Sequence, residues 1–123
     1  MIDFEKLKTK VLNWGYNKGI VRNTPQQFDA QYDKIKEELV EYHEAVTEFY
    51  DVDFRFDTAS EEYKIRKEEA FKALELELGD VMVTVIMSAA CVGADVSYAL
   101  DKAYKKIQNR TGKVVNGQFV KDK

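Results

Sequence analysis

Glu38 and Glu41 stand three residues apart in Lys36-Glu37-Glu38-Leu39-Val40-Glu41, and Glu77 and Asp80 do the same in Glu77-Leu78-Gly79-Asp80. On a helix such neighbours carry Cβ atoms about 5–6 Å apart, so each pair forms a two-carboxylate claw. Two claws on facing helices gather four negative charges, which repel one another unless a cation lies between them. A hard divalent ion that prefers oxygen, Mg²⁺ or Mn²⁺, suits that donor set. The bland alternative is a solvated acidic face, since glutamate favours helices and E-x-x-E spacing is common on their outer surfaces.

Helical phase separates the two readings. Ile35, Leu39, Tyr42, Val46 and Phe49 define an apolar stripe, with Asp33, Glu37, Glu44 and Glu48 opposite it in solvent. Glu38 and Glu41 fall on the flank between them, in line with Gln31, Lys34 and Ala45. Glu77 and Asp80 take a similar flank with Ala73 and Thr84, beside the apolar row Phe71, Leu74, Leu78, Val81 and Val85. A flank is where a neighbouring helix can face a side chain.

The pairing of E-E-x-x-E with a later E-L-G-D resembles the MazG-type all-α nucleoside triphosphate pyrophosphohydrolases, relatives of the dimeric dUTPases and dCTP pyrophosphatases. Around it stand Trp14, Gln31 and Lys34, and a later segment Ala99-Leu100-Asp101-Lys102-Ala103 with Lys106 and Arg110. The resemblance implies an all-α bundle of four or five helices that hydrolyses a (deoxy)nucleoside triphosphate to the monophosphate and pyrophosphate. It implies Glu38, Glu41, Glu77 and Asp80 as metal ligands and catalytic residues. It implies Trp14, Gln31, Lys34, Lys102, Lys106 and Arg110 as substrate contacts, and a homodimer or higher homo-oligomer. Two positions depart from the family pattern. Leu76 stands where a glutamate usually precedes the ligand Glu77, and Glu75 points about 100° away from it round the helix, which puts a second metal in doubt. Tyr104 stands where an asparagine is common. The 35 residues between Glu41 and Glu77 look like an insertion.

The 123 residues suit one domain over 1–123. A hydrophobic share of 45% beside 33% charged residues is globular, and one proline with six glycines argues against disorder. The net charge of -3 argues against non-specific nucleic-acid binding, which rests on neutralising phosphates. Cys91 has no second cysteine to pair with and reads as a small core residue in a reducing compartment. Met1-Ile2-Asp3-Phe4-Glu5-Lys6 has no signal-peptide pattern, so cytoplasmic residence is expected.

Along the chain, Asp3 caps a first helix that carries Phe4, Leu7, Val11 and Trp14 inward and ends near Gly15 or Gly19. Trp14 is either a core aromatic or a stacking surface for a nucleobase, and the resemblance favours the second. Thr24-Pro25-Gln26-Gln27 opens a second helix, Pro25 to about Tyr50. The alternation in Asp51-Val52-Asp53-Phe54-Arg55-Phe56-Asp57 predicts an ordered loop or short extended piece, with Phe54 and Phe56 packing beneath it or covering the site. Thr58-Ala59-Ser60-Glu61 reads as a capping box for a helical segment reaching Val92 with a break inside it. The apolar run Val81 to Val92 is too short to span a bilayer, which takes about 20 residues. Asp95 caps the last helix, with Val96, Ala99, Leu100, Ala103 and Ile107 inward and an end near Gly112. On it Lys102, Lys106 and Arg110 recur every four residues, either as cations favoured by the helix dipole or as a basic stripe for a polyphosphate, with Lys105 a bystander. Asn116-Gly117 predicts a type I′ turn in a short C-terminal β-hairpin.

Other chemistries lack their residues. His43 is the single histidine, so neither a Glu-x-x-His di-iron set nor a zinc cluster is available, and it reads as a surface residue. No Walker loop is present. The competing class is a non-catalytic helical interaction module whose glutamates only solvate it.

Overall fold

A computed structural model describes residues 1–123, which form two compact units, Met1–Gly93 and Ala94–Lys123. The first holds three helices, α1 (Phe4–Asn17), α2 (Pro25–Arg55) and α3 (Glu61–Cys91). The second holds α4 (Val96–Ile107), β1 (Gly112–Val115) and β2 (Gln118–Lys121). The class is all-α with a short C-terminal hairpin, as expected. No single helix is long and apolar enough to cross a membrane.

Local chemistry sets the helix ends. Asp3 accepts from the Lys6 N–H at 3.1 Å, and α1 closes at Gly19, whose φ of 74° is the left-handed value that glycine adopts freely. Thr24 accepts from the Gln27 N–H at 3.1 Å with Pro25 at the first helical position. Gln27 does not complete a capping box. Its side chain donates to the Ile20 carbonyl at 2.6 Å and ties the α1–α2 connection to the start of α2.

Helices α2 and α3 pack together along their length, and α1 lies against α3. In α2 the inward positions Gln31, Ile35, Glu38, Tyr42, Ala45, Phe49 and Val52 alternate in steps of four and three. In α3 the matching positions are Ala70, Leu74, Glu77, Val81, Thr84, Ser88 and Cys91. That spacing keeps one seam facing one partner from Gln31 to Val52 and from Ala70 to Cys91. It also corrects the sequence phase. The line of Glu38 and Gln31 is the centre of the interface, and Leu39, Phe71, Leu78 and Val85 are exposed. The apolar stripe and the seam share Ile35, Tyr42 and Phe49 and step alike by four and three; they differ in which neighbour of that line faces α3, and the structure places Glu38 there and turns Leu39 out.

Three further expectations give way. Helix α2 runs on through Asp51–Arg55, because Val52 falls on the next seam position after Phe49 and is only 2% exposed there. The alternation around it is the outer face of that last turn, and Phe54, 87% exposed, neither packs nor covers a site. The cap of α3 is Ser60, which accepts from the Tyr63 N–H at 3.1 Å, while Asp57 holds the Ala59 N–H at 3.0 Å, so Thr58 is not the cap. Helix α3 is unbroken across Gly79, since its hydrogen-bond ladder and its seam both continue.

In α1 the inward face is Lys8, Val11 and Gly15, with Phe4, Leu7 and Trp14 exposed. Gly15 decides this rotation. A Cβ there would lie 2.8 Å from both Met87 Sδ and Val21 Cγ2, so only glycine admits the α1 backbone so close to α3. Val21, Met87 and Cys91 form the small core beneath it.

In the second unit Asp95 caps α4 by accepting from the Ser97 N–H at 2.8 Å. The helix ends at Ile107, short of Gly112, which opens β1, and none of its residues is buried. Val96, Ala99, Leu100, Ala103 and Ile107 are therefore not a core, for one helix and one hairpin have too few residues to enclose one. Asn116 and Gly117 carry φ of 52° and 77°, the type I′ pattern, with Val115 paired to Gln118.

Candidate functional site

Glu38 of α2 meets Glu77 and Asp80 of α3 across the seam, with one carboxylate oxygen from each lying within 4.8 Å of the others. Heptad register explains the meeting: Glu38 and Glu77 each occupy a seam position, and Asp80 follows Glu77 by one turn. Glu38 is only 7% exposed. Its Oε1 lies 3.4 Å from Lys34 Nζ, which also reaches Glu37 Oε1 at 3.3 Å. The hydrogen bond to Glu37 and its charge, with Glu38 adding to them, raise the Lys34 pKa above its ordinary value.

The remaining oxygens are not compensated. Glu38 Oε2 and Glu77 Oε2 are sealed from solvent with no hydrogen-bond partner. Glu41, one turn beyond Glu38, lies outside the three-oxygen cluster but close enough to feel it. A hydrogen bond to Glu38, then the charge of Glu38, then partial burial and the charges of Glu77 and Glu37 push its carboxyl above the usual range. Buried carboxylate oxygens that lack donors and crowd one another are the donor set of a hard divalent cation, so Mg²⁺ or Mn²⁺ fits the residues present. Glu38, Glu77 and Asp80 would hold it, with Glu41 beside them.

A cavity of about 400 Å³ opens against this cluster, lined by Trp14, Ile20, Ala30, Gln31, Lys34, Glu38, Asp80, Val83, Thr84 and Met87. The fold thus gathers Trp14, Gln31, Lys34, Glu38 and Asp80 around one space. Thr84 turns its hydroxyl back onto the Asp80 and Val81 carbonyls, at 3.0 and 2.8 Å. Lys102 and Lys106 lie on α4, and Arg110 lies beyond its end with its N–H on the Ile107 carbonyl at 3.0 Å. The three cations are not one helical stripe, because the helix stops before the third. Leu76 is exposed on α3, and Tyr104 is exposed on α4.

Ile20, Ala30, Val83 and Met87 line the cavity without having been legible as site residues. Apolar residues in a linker or a core run carry no chemical signal of their own. The Gly15 contact that brings α1 onto Met87 could have pointed to them, but only once the helices are paired.

The MazG nucleotide pyrophosphohydrolase domain model matches residues 26–115, from the first turn of α2 through β1. No curated protein and no solved structure matches the chain.

Proposed function

The chain belongs to the MazG nucleotide pyrophosphohydrolase family, and from that premise we propose that it hydrolyses a (deoxy)nucleoside triphosphate to the monophosphate and pyrophosphate with Mg²⁺ or Mn²⁺ as cofactor. The observation that carries the reading is the convergence of Glu38, Glu77 and Asp80 with two partnerless buried oxygens beside an open cavity. When bound, the cation supplies charge neutralisation for the triphosphate and a more acidic water. Everything else falls to side chains. Glu41, the carboxylate whose pKa Glu38 raises, takes the proton of the attacking water. Oxygen of that water bonds the α-phosphorus as the bridge to the β-phosphate breaks, and pyrophosphate leaves. Lys34 holds the phosphates, and Trp14 lies against the base.

In this reading residues 1–123 act as one cytoplasmic domain, without a nucleic-acid or membrane partner, in a homodimer or higher homo-oligomer. Exposed Phe71, Leu78, Met82 and Val85 on α3 support the oligomer, since they form an apolar row that the first unit leaves uncovered.

The test is a pyrophosphate-release screen across canonical and modified nucleotides with and without Mg²⁺ or Mn²⁺. It is followed by turnover in ¹⁸O-labelled water. Label is expected in the nucleoside monophosphate. Label in orthophosphate, or no cation-dependent release from any nucleotide, sinks the proposal.

A further inference from the structure

The cavity has a direction. Along α2 its residues run Gln31, Lys34, Glu38 towards the acidic cluster, and along antiparallel α3 they run Met87, Val83, Asp80 the same way. Gln31 and Glu38 are two helical turns apart, about 10 Å. Met87 packs at Gly15, so Trp14 and Ile20 of the α1 side stand at the Met87 end. One end is therefore acidic and the other apolar and aromatic. If the cavity takes a nucleotide, on which this inference rests, the phosphates meet a cation at the first end and the base enters the second.

At that apolar end Gln31 is the neutral polar side chain with unused hydrogen-bonding capacity. It is 9% exposed, and its Oε1 is sealed from solvent without a partner. Thr84, the other neutral polar residue of the wall, is turned onto its own helix. A buried carbonyl without a donor destabilises the free protein, and a donor brought in by a ligand removes that penalty. A carboxamide both accepts and donates, and a half-turn of its last torsion exchanges the two. That matches the adjacent donor and acceptor on the pairing edge of a nucleobase.

We propose that Gln31 is the specificity-determining residue of the cavity, reading the pairing edge of a base held between Trp14 and Met87. Trp14 is the sole tryptophan, so its fluorescence reports occupancy of this end directly. Deoxynucleosides are titrated into the full chain in EDTA, each base beside an analogue that lacks its pairing-edge N–H. Wild type should bind the preferred base at least about tenfold more tightly than its analogue, as a site built around a hydrogen bond does. Gln31→Leu and Gln31→Met should bind the two equally, and both should melt higher than wild type because the orphaned carbonyl is gone.

A difference that persists in both variants overturns the proposal, and so does its absence from wild type for every base, the result expected if a water molecule satisfies Gln31. Failure of the catalytic reading shows differently. Base-selective quenching without pyrophosphate release would leave Gln31 in its role and remove the reaction. Pyrophosphate release that both variants slow by one common factor on all nucleotides would remove the role and leave the reaction.

Discussion

The two ends of the α2–α3 hairpin treat charge in opposite ways. Near the turn, Asp53 accepts from Tyr63 at 2.7 Å and lies 3.0 Å from Lys67. Lys67 also donates to the Phe49 carbonyl at 2.8 Å with its ammonium 3.5 Å above the Phe49 ring, and Arg55 pairs with Glu48. The polar groups named there have partners within the chain. Towards the other end the same seam carries Glu38 and Glu77, like charges with an oxygen each left unpaired. Both stretches border one heptad seam, but Asp53, Glu48 and Arg55 lie at its exposed edge and Glu38 lies within it. At the turn the chain supplies the partner, and at the acidic end the proposed function assigns that part to a bound cation. Local frustration inside an otherwise consistent helix pair is what the proposed function expects of its site.

The sharpest break of this comparison exchanges charge for a neutral isostere at each end. Glu38→Gln and Asp80→Asn should lower kcat/KM by at least about 100-fold, the scale of losing an electrostatic catalytic contact. The same variants should melt slightly higher than wild type in EDTA, because one repelling charge is gone. Asp53→Asn should do the reverse, keeping activity and lowering the melting temperature. Full Mg²⁺-dependent activity in Asp80→Asn would show that the acidic cluster is not the metal site.

Cation binding gives the next largest effect. Mn²⁺ at 100 times its Kd should stabilise the native state by about 2.7 kcal/mol through mass action, read as a rise in thermal midpoint with concentration. That rise should vanish in Glu38→Gln and persist in Lys67→Met. A rise of equal size in both would place the ion elsewhere.

Lys67→Met tests the turn end alone. It removes the donor to the Phe49 carbonyl and the partner of Asp53 from a mostly buried position, which should cost roughly 1–2 kcal/mol in denaturant unfolding. Nucleotide turnover should not change. Lost turnover with unchanged stability would mean that the two ends are coupled.

How far the sequence could be read follows the same division. Helix caps at Asp3, Thr24 and Asp95 and the Asn116-Gly117 turn were legible because each is decided by side chains within a few residues. The two claws were legible because one helical turn fixes their spacing. Their burial was not, because Ile35, Tyr42 and Phe49 fit an inward face extended either to Leu39 or to Glu38, and only the packed partner helix decides between the two. Val52 was misplaced for a related reason, since its place on the seam is visible only with Ala70 opposite. The end of α4 was misread, so that Arg110 falls outside the helix, because nothing in Lys102, Lys106 and Arg110 says where it stops.

The smallest expected effect is pH dependence, and its sign separates the ends. At the turn, the hydrogen bond from Tyr63 and then Lys67 lower the Asp53 pKa below the ordinary 3.8. A depressed carboxylate contributes stability above its unfolded pKa and loses it as pH falls through the folded value, so Asp53 stabilises the fold at neutral pH and its contribution changes with pH only in acid. At the acidic end, Glu38 raises the Glu41 pKa above the ordinary 4.5. A raised carboxylate contributes stability in full below its unfolded pKa and loses it as pH rises through the folded value. In EDTA the thermal midpoint should therefore fall on both sides of the window between these two groups. Asp53→Asn should remove part of the acid-side fall, and Glu41→Gln part of the fall on the other side. Saturating Mg²⁺ should reverse only the latter, because a cation favours the ionised carboxylates that proton loss creates. If Mg²⁺ leaves the upper limb unchanged while activity still depends on it, then Glu41 does not share the cation's field, and the proton acceptor must be sought at another carboxylate of the cluster.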